Sequence, residues 1–141
     1  VKDIVTRVTD PGVRVIPGMG MVKGASAGET VKLPVTGSTA ADFEGIFVHG
    51  SKQLEHNMAG VVGTEGGDTV GLMKKGRIWA LIADTATTTY GTAAALILSG
   101  DNVGKLTDTA DSEETSKVAL TGVTFTGKAD TDNGIAVVEM K

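Results

Sequence analysis

Glycine interrupts this chain at short intervals along most of its length. The sequence contains 20 glycines, and they separate short apolar stretches in which threonine and valine dominate. Threonine and valine are β-branched and fit a pleated surface, whereas glycine supplies the backbone conformations that tight turns need. Sustained apolar periodicity of 3.6 residues, which would indicate amphipathic helices, is missing. The pattern therefore predicts an all-β fold of short strands joined by tight turns.

The length of the chain fits one small domain. At 141 residues, folding is expected to bury about two-thirds of the surface that the unfolded chain exposes, enough for one hydrophobic core. Seven or eight short strands at this spacing are typical of closed or two-layered β architectures. We predict a single small β-barrel or jelly-roll-like sandwich whose body spans residues 29–141.

The first 28 residues differ from this body. Their apolar pieces are cut by Pro11-Gly12 and Pro17-Gly18, and proline favours extended chain outside a central sheet. We predict an extended N-terminal arm over residues 1–28 that contacts a neighbouring subunit. A first strand preceded by a disordered leader remains the alternative. The apolar residues assigned to this interface are Val13, Val15, Ile16, Met19, Met21 and Val22.

Strand signals recur along the rest of the chain. The predicted strands are 30–35, 43–48, 68–73, 77–82, 94–98 (open to a short helix), 118–125 and 135–140. Lys74-Lys75-Gly76 and Asn133-Gly134 are predicted as hairpin turns. Residues 51–59 are predicted to form one or two helical turns, and residues 107–116 a solvated acidic loop.

Composition narrows the range of partners. The net charge is −4, and a nucleic-acid ligand needs a basic footprint, so we expect no nucleic-acid partner. No apolar run approaches the roughly 20 residues that cross a bilayer, so we expect no membrane association. The chain has no cysteine, which excludes disulfides and thiolate chemistry.

Motifs for chemistry are missing from the sequence. His49 and His56 stand near carboxylates, but their spacing matches no metal site and no third nitrogen or sulfur ligand exists. We therefore expect no metal, no cofactor and no catalytic residue, and we predict that the protein is not an enzyme. A small hydrolase with a carboxylate pair is the last alternative. Core positions are predicted for Phe43, Phe47, Trp79 and Phe125, and an exposed position for Tyr90.

Three basic residues stand close together in the sequence, namely Lys74, Lys75 and Arg77. At the tip of a hairpin they could contact an acidic partner, or they could simply be solvated and discourage edge aggregation. We include all three among the residues of the predicted subunit interface.

The order of these features resembles the structural cement, or head decoration, proteins of tailed bacteriophages. The stretches that carry the resemblance are 43–48 (FEGIFV), 67–70 (GDTV), 75–80 (KGRIWA), 99–103 (SGDNV), 104–106 (GKL) and 133–139 (NGIAVVE). Each is short, and their order is more specific than any one of them. The similarity covers about residues 29–141, and the earlier residues are only loosely similar.

The resemblance implies a non-enzymatic decoration protein on the outer capsid surface of a virion. Such a protein binds the major capsid protein, bridges coat subunits to stabilise the shell, and associates with itself as a homodimer or homotrimer. The stretches 84–95 and 107–116 depart from the family pattern and leave the oligomeric interface open. The alternative is a receptor- or carbohydrate-binding β-sandwich module of a virion fibre or tail, which would need exposed aromatic rings.

Overall fold

A computed structural model describes residues 3–10, 16–50, 55–56, 62–63 and 69–141 of the chain. The fold is nearly all β, as predicted, with one short 3-10 helix at Ala40–Asp42 in this part of the chain. The strands are β1 Asp3–Thr9, β2 Gly20–Lys23, β3 Thr30–Lys32, β4 Phe43–Gly50, β5 Glu55–His56, β6 Val62–Gly63, β7 Thr69–Leu81, β8 Ala93–Ile97, β9 Leu106–Asp108, β10 Lys117–Asp130 and β11 Ile135–Met140.

Five strands close into a barrel. They are hydrogen-bonded in the order β1-β3-β2-β4-β7, and β7 pairs again with β1 to complete the ring. All neighbours are antiparallel except β1 and β3. Closure removes exposed sheet edges, which would otherwise invite pairing with other chains. The predicted β-barrel is therefore confirmed.

β7 is long enough to belong to two sheets. Up to Lys75 it pairs with β1, and from Gly76 to Leu81 it pairs with β11. The sheet continues in the order β11-β10-β8-β9, and a bridge between Ile82 and Leu106 brings its last strand back beside the end of β7. We call these strands, together with the second half of β7, the second sheet.

The hairpin predicted at Lys74-Lys75-Gly76 is wrong. This tripeptide lies inside the 13 residues of β7, because β1 and β11 supply successive ladder partners that keep the chain extended there. Its glycine marks the point where β7 changes its pairing partner, and the chain does not reverse direction there. Gly76 has a φ of 116°, which glycine adopts at little cost, and it stands where β7 leaves the barrel and enters the second sheet.

The strands divide the apolar residues between two cores. The barrel core contains Met21, Val31, Phe47, Val70 and Leu72. The second core lies against the second sheet and includes Val22, Ile46, Met73, Leu96, Phe125 and Val138. Since successive side chains of a strand point to opposite faces, β2, β4 and β7 each contribute to both cores and form a wall between them.

Residues 1–28 do not form a separate arm in their described part. β1 and β2 are barrel strands, Val5 of β1 packs against the barrel core, and Thr9 is buried. Pro17 lies in the turn before β2, so it punctuates the strands instead of keeping the segment out of the sheet. The predicted boundary between an arm and a body at residue 28 is corrected accordingly.

Two turn predictions have definite outcomes. The hairpin at Asn133-Gly134 is confirmed, because β10 and β11 pair from Asp130 opposite Ile135 onward, and the Asp130 carboxylate accepts hydrogen bonds from Asn133. The helical turns predicted over 51–59 are wrong at Glu55–His56, which form strand β5 paired with β6. The other residues of that stretch lie outside the described residues.

The acidic stretch 107–116 is more ordered than a solvated loop. Thr107, Asp108 and Asp111 are buried. The first two are the last residues of strand β9, and the chain then turns back toward that strand. The Asp111 carboxylate accepts hydrogen bonds from the Thr107 hydroxyl at 2.5 Å and from the Thr85 hydroxyl at 2.6 Å. Burial raises the pKa of Asp111, but these hydroxyls and the Glu113 amide outweigh it and hold the pKa below its ordinary value.

Candidate interaction surface

The residues predicted for an apolar interface are distributed differently from expectation. Met21 and Val22 are 0% and 1% exposed, because Met21 packs in the barrel core and Val22 in the second core. The prediction that these two residues lie at an interface surface is therefore wrong. Met19 packs against the barrel core and is half-buried, as is Ile16. Val13 and Val15 lie outside the described residues.

The three basic residues on β7 do not form one cluster. The Nζ of Lys74 lies 3.3 Å from the Oε2 of Glu44. The Nε of Arg77 donates a hydrogen bond of 2.8 Å to the Oε2 of Glu139. Lys75 is exposed. The positions are therefore strand positions, two of them ion-paired, and not the tip of a turn.

Glu44 is a buried charge that the sequence did not reveal. Its side chain is 6% exposed and lies between Lys74 and Arg7, whose Nη2 is 3.9 Å from the same carboxylate oxygen. The Nε of Arg7 is buried without a hydrogen-bond partner. Glu44 lies within an apolar strand sequence, which gives no sign that cations from two other strands converge on it. Its surroundings indicate a role in holding the barrel together.

The chain has one tryptophan and one tyrosine, and both are exposed. Trp79 is 41% exposed and Tyr90 is 85% exposed. The prediction for Tyr90 is confirmed, whereas the core position predicted for Trp79 is wrong. Strand alternation explains the error, because the neighbouring Ile78 and Ala80 supply the second core and turn Trp79 outward. Phe47 and Phe125 are buried as predicted.

The two exposed rings lie on one face of the second sheet. Trp79 stands opposite Val137 of β11, and the Nζ of Lys128 of β10 lies 5.7 Å from the centroid of its ring, which is within the range of a cation–π contact. Tyr90 lies beside Gly127, the neighbour of that lysine. We define the aromatic face by its residues Arg77, Trp79, Tyr90, Lys128, Val137, Glu139 and Lys141.

Ion pairs fix the polar part of the aromatic face. Arg77 stands opposite Glu139 in the β7–β11 ladder, and the Nζ of Lys141 lies 3.8 Å from the other oxygen of that carboxylate. The hydrogen bond from Arg77, together with the charges of both cations, holds the pKa of Glu139 below its ordinary value. Glu139 therefore stays ionised and keeps the Arg77 side chain in place.

Two depressions meet at Arg77. A groove of about 430 Å³ is lined by Trp79, Leu81, Pro17 and Val48 as well as Arg77, and is mostly apolar. A smaller depression of about 180 Å³ is lined by Tyr90, Thr124, Glu139 and Lys141 as well as Arg77, and is mostly polar. The aromatic face thus offers raised rings beside an apolar hollow and a charged hollow, which suits contact with another protein.

Neither a metal-holding side-chain group nor a membrane-spanning helix occurs among the described residues. They contain no group of three or more His, Asp or Glu side chains placed to hold a metal ion. None of the helices in that part of the chain is long and apolar enough to span a bilayer.

Comparison with known proteins matches the chain to a protein family and shows its fold in a solved structure. The family described as Structural cement protein (E217 gp24/Pam3 gp6) matches residues 1–141. The chain is also similar to a chain in the solved structure of the capsid of Myoviridae phage XM1, with a TM-score of 0.73 and 17% identity, over 100% of this chain and 84% of that one. At that identity the likeness shows a shared fold. No curated protein matches the chain.

Proposed function

The chain belongs to the phage structural cement protein family, and we propose that it binds the outer surface of a phage head and bridges neighbouring coat subunits. Membership makes it a structural protein of the phage capsid with a stabilising role. The proposal adds three points: the protein lies on the outside of the shell, it contacts the major capsid protein directly, and it associates with itself as a homodimer or homotrimer. The observation that carries it is the family match over residues 1–141.

The proposal also holds that the protein catalyses no reaction. Three carboxylates of the described residues support this part of the proposal, because each makes contacts that stabilise the fold. Glu44 is neutralised by two cations, Asp111 is held by hydroxyl groups, and Glu139 orients Arg77. Groups engaged in this way stabilise a rigid body, and a rigid body suits a protein that reinforces a shell.

Repetition explains how a small protein can strengthen a large shell. A protein that bridges two coat subunits gains from the second contact without losing translational freedom again, because that contact is already held close by the first. Modest contacts repeated over the lattice then add to the stability of the whole shell. Among the predicted interface residues, we propose that the exposed Lys75 and Arg77 take part, with the partly exposed Ile16, Met19 and Lys74 as further contacts.

The experiment uses DNA-filled phage heads that lack this protein, from the phage to which it belongs. The purified chain is mixed with them, the heads are sedimented, and the decorated particles are reconstructed by electron cryo-microscopy. We expect saturable co-sedimentation and added density on the outside of the shell between coat subunits. Heads that sediment without the protein at saturating concentration would contradict the proposal, as would density confined to the inside.

One observation favours a second candidate function. Trp79 and Tyr90 are exposed, and exposed rings serve as stacking platforms in sugar-binding sites. A receptor- or carbohydrate-binding module of a virion would therefore fit the aromatic face. Binding to a glycan array by the free protein, without any association with heads, would support this candidate over capsid decoration.

A further inference from the structure

The composition of the aromatic face is unusual for a surface that serves only solubility. It exposes the single tryptophan and the single tyrosine of the chain, although the core has room for large residues such as Phe47 and Phe125. Arg77 lies between them and lines both depressions. Tryptophan, tyrosine and arginine are the residues in which the binding energy of protein interfaces concentrates. The face therefore has the make-up of an interface hot spot.

Two side chains of this face, Trp79 and Arg77, have ordering contacts before any partner arrives. Trp79 and Arg77 stand on a strand that is paired to β11 in unbroken register. The Nζ of Lys128 lies 5.7 Å from the centroid of the Trp79 ring, and Glu139 accepts a hydrogen bond from the Arg77 guanidinium. Side chains that are already ordered lose little conformational entropy on binding, so more of their contact energy contributes to affinity.

The edge of β7 that faces away from β11 is only partly occupied among the described residues. From Gly76 to Leu81, β7 pairs only with β11 in that part of the chain. On its opposite edge the Leu81 amide donates to the Gly18 carbonyl. In a regular antiparallel ladder Arg77 and Trp79 present their backbone groups on that same edge. An extended peptide could pair there while one of its apolar side chains enters the groove.

Charge indicates the chemistry of the partner. The aromatic face carries three cations, Arg77, Lys128 and Lys141, and one carboxylate, Glu139, whereas the chain as a whole has a net charge of −4. A basic face on an acidic protein attracts an acidic partner surface. Two copies meeting through the same face would bring like charges together, which disfavours a second copy as the occupant.

We infer that the aromatic face is the surface by which this cement protein docks on the capsid, and that its occupant is an extended acidic segment of a coat subunit carrying an apolar anchor for the groove. This inference rests on the proposed function, and it adds which surface is used and what it recognises. The anchor would contact Trp79 and Leu81, and the acidic side chains would lie near Lys128 and Arg77.

The test compares head binding by four proteins: the native chain, Trp79→Ala, Lys128→Glu and the control Val35→Ala. Val35 is 47% exposed and lies outside the aromatic face. Each is titrated against heads lacking the protein, and thermal unfolding checks that each is folded. We expect Trp79→Ala to weaken binding about thirtyfold, the loss typical of a truncated hot spot. Lys128→Glu should weaken it and reduce its sensitivity to salt, while the control binds as the native chain does.

The possible outcomes separate the two claims. Native protein that does not bind heads contradicts the proposed function and the inference with it. Native protein that binds, with both Trp79→Ala and Lys128→Glu binding equally well, leaves the proposed function standing and overturns the inference. If Trp79→Ala instead dissociates a homo-oligomer while head binding is intact, the face joins two copies and the inference is wrong.

Discussion

Ile46 and Phe47 are consecutive residues of β4, yet Ile46 packs in the second core and Phe47 in the barrel core. The same division occurs between Met21 and Val22 of β2. The backbone of these strands is therefore the wall between two cores, and neither core can lose its packing without disturbing the strands that line the other. We expect the barrel and the second sheet to unfold as one cooperative unit.

Leu72→Ala tests this coupling. Leu72 is fully buried in the barrel core, and its truncation is expected to lower the free energy of unfolding by about 2–5 kcal/mol. Trp79 lies in the second sheet, so its fluorescence reports on the other unit. Denaturant unfolding followed by circular dichroism and by Trp79 fluorescence should show the same lowered midpoint. Two separate transitions would contradict a shared wall, and Val35→Ala should leave both midpoints unchanged.

Burial, rather than the distance between the charged atoms, determines how much each ion pair contributes to the free energy of unfolding. The Arg77–Glu139 pair is short at 2.8 Å, but Arg77 is 67% exposed, whereas the Glu44 side chain is 6% exposed. Glu44→Ala leaves Arg7 with an unbalanced and largely buried charge and should cost about 3–5 kcal/mol. Arg77→Ala should cost at most about 1 kcal/mol. Equal losses in denaturant unfolding would contradict this ranking.

Asp111→Ala should destabilise the protein in a pH-dependent way. The mutation leaves the Thr85 and Thr107 hydroxyls and the Glu113 amide without their acceptor, which should cost about 2 kcal/mol near neutral pH. Because the pKa of Asp111 is lowered from 3.8 in the folded state, its stabilising effect is complete above that value. It is lost as the pH falls through the folded-state pKa.

Measuring unfolding of native and Asp111→Ala protein between pH 7 and pH 2 checks this expectation. The difference in stability should be constant down to about pH 4 and shrink below it. Asp101→Ala, which changes an exposed carboxylate in a neighbouring turn, serves as the control. A difference that grows on acidification would show that the carboxylate is not the stabilising form.

Gly45→Ala should cost more than a glycine replacement in an open turn. Gly45 has a φ of 145°, and an added Cβ would lie 2.7 Å from the Met73 carbonyl oxygen, so the β4–β7 ladder would have to shift. Gly37 also has a positive φ, of 95°, but an added Cβ there meets no atom within 4 Å. Both changes incur backbone strain of about 1–3 kcal/mol, because alanine rarely adopts a positive φ. Gly45→Ala should lower the melting temperature further, and equal shifts would contradict the close approach.

Local sequence patterns predicted most of the fold because strands and turns leave local signals. The Asn133-Gly134 hairpin, the strand at 43–48 and the barrel were predictable from turn chemistry and apolar runs. The continuity of β7 was not, since Lys74-Lys75-Gly76 has the composition of a turn and only the ladder partners supplied by β1 and β11 make it strand. In the same way, β1 has partners in β3 and β7 that lie far away in sequence.

The aromatic face was only partly predictable. Tyr90 stands in a threonine-rich loop, which indicates exposure, and Arg77 was assigned to the interface from its charge. Trp79 was misplaced because an apolar strand sequence does not say which of its alternating residues faces a core when the sheet has one covered side. The approach of Lys128 to Trp79 depends on the neighbouring strands β10, β11 and β7, and no local pattern encodes it.

The resistance of phage heads to heating tests the central claim most directly. A protein that binds only the intact shell stabilises it by mass action. Once the free protein concentration exceeds the dissociation constant, the stabilisation grows with the logarithm of that concentration. Heads lacking the protein are heated with and without it, and DNA release is followed with an intercalating dye. The account predicts that the release temperature rises with added protein and levels off as the sites fill. Release at one and the same temperature, with the protein in saturating excess, would contradict it.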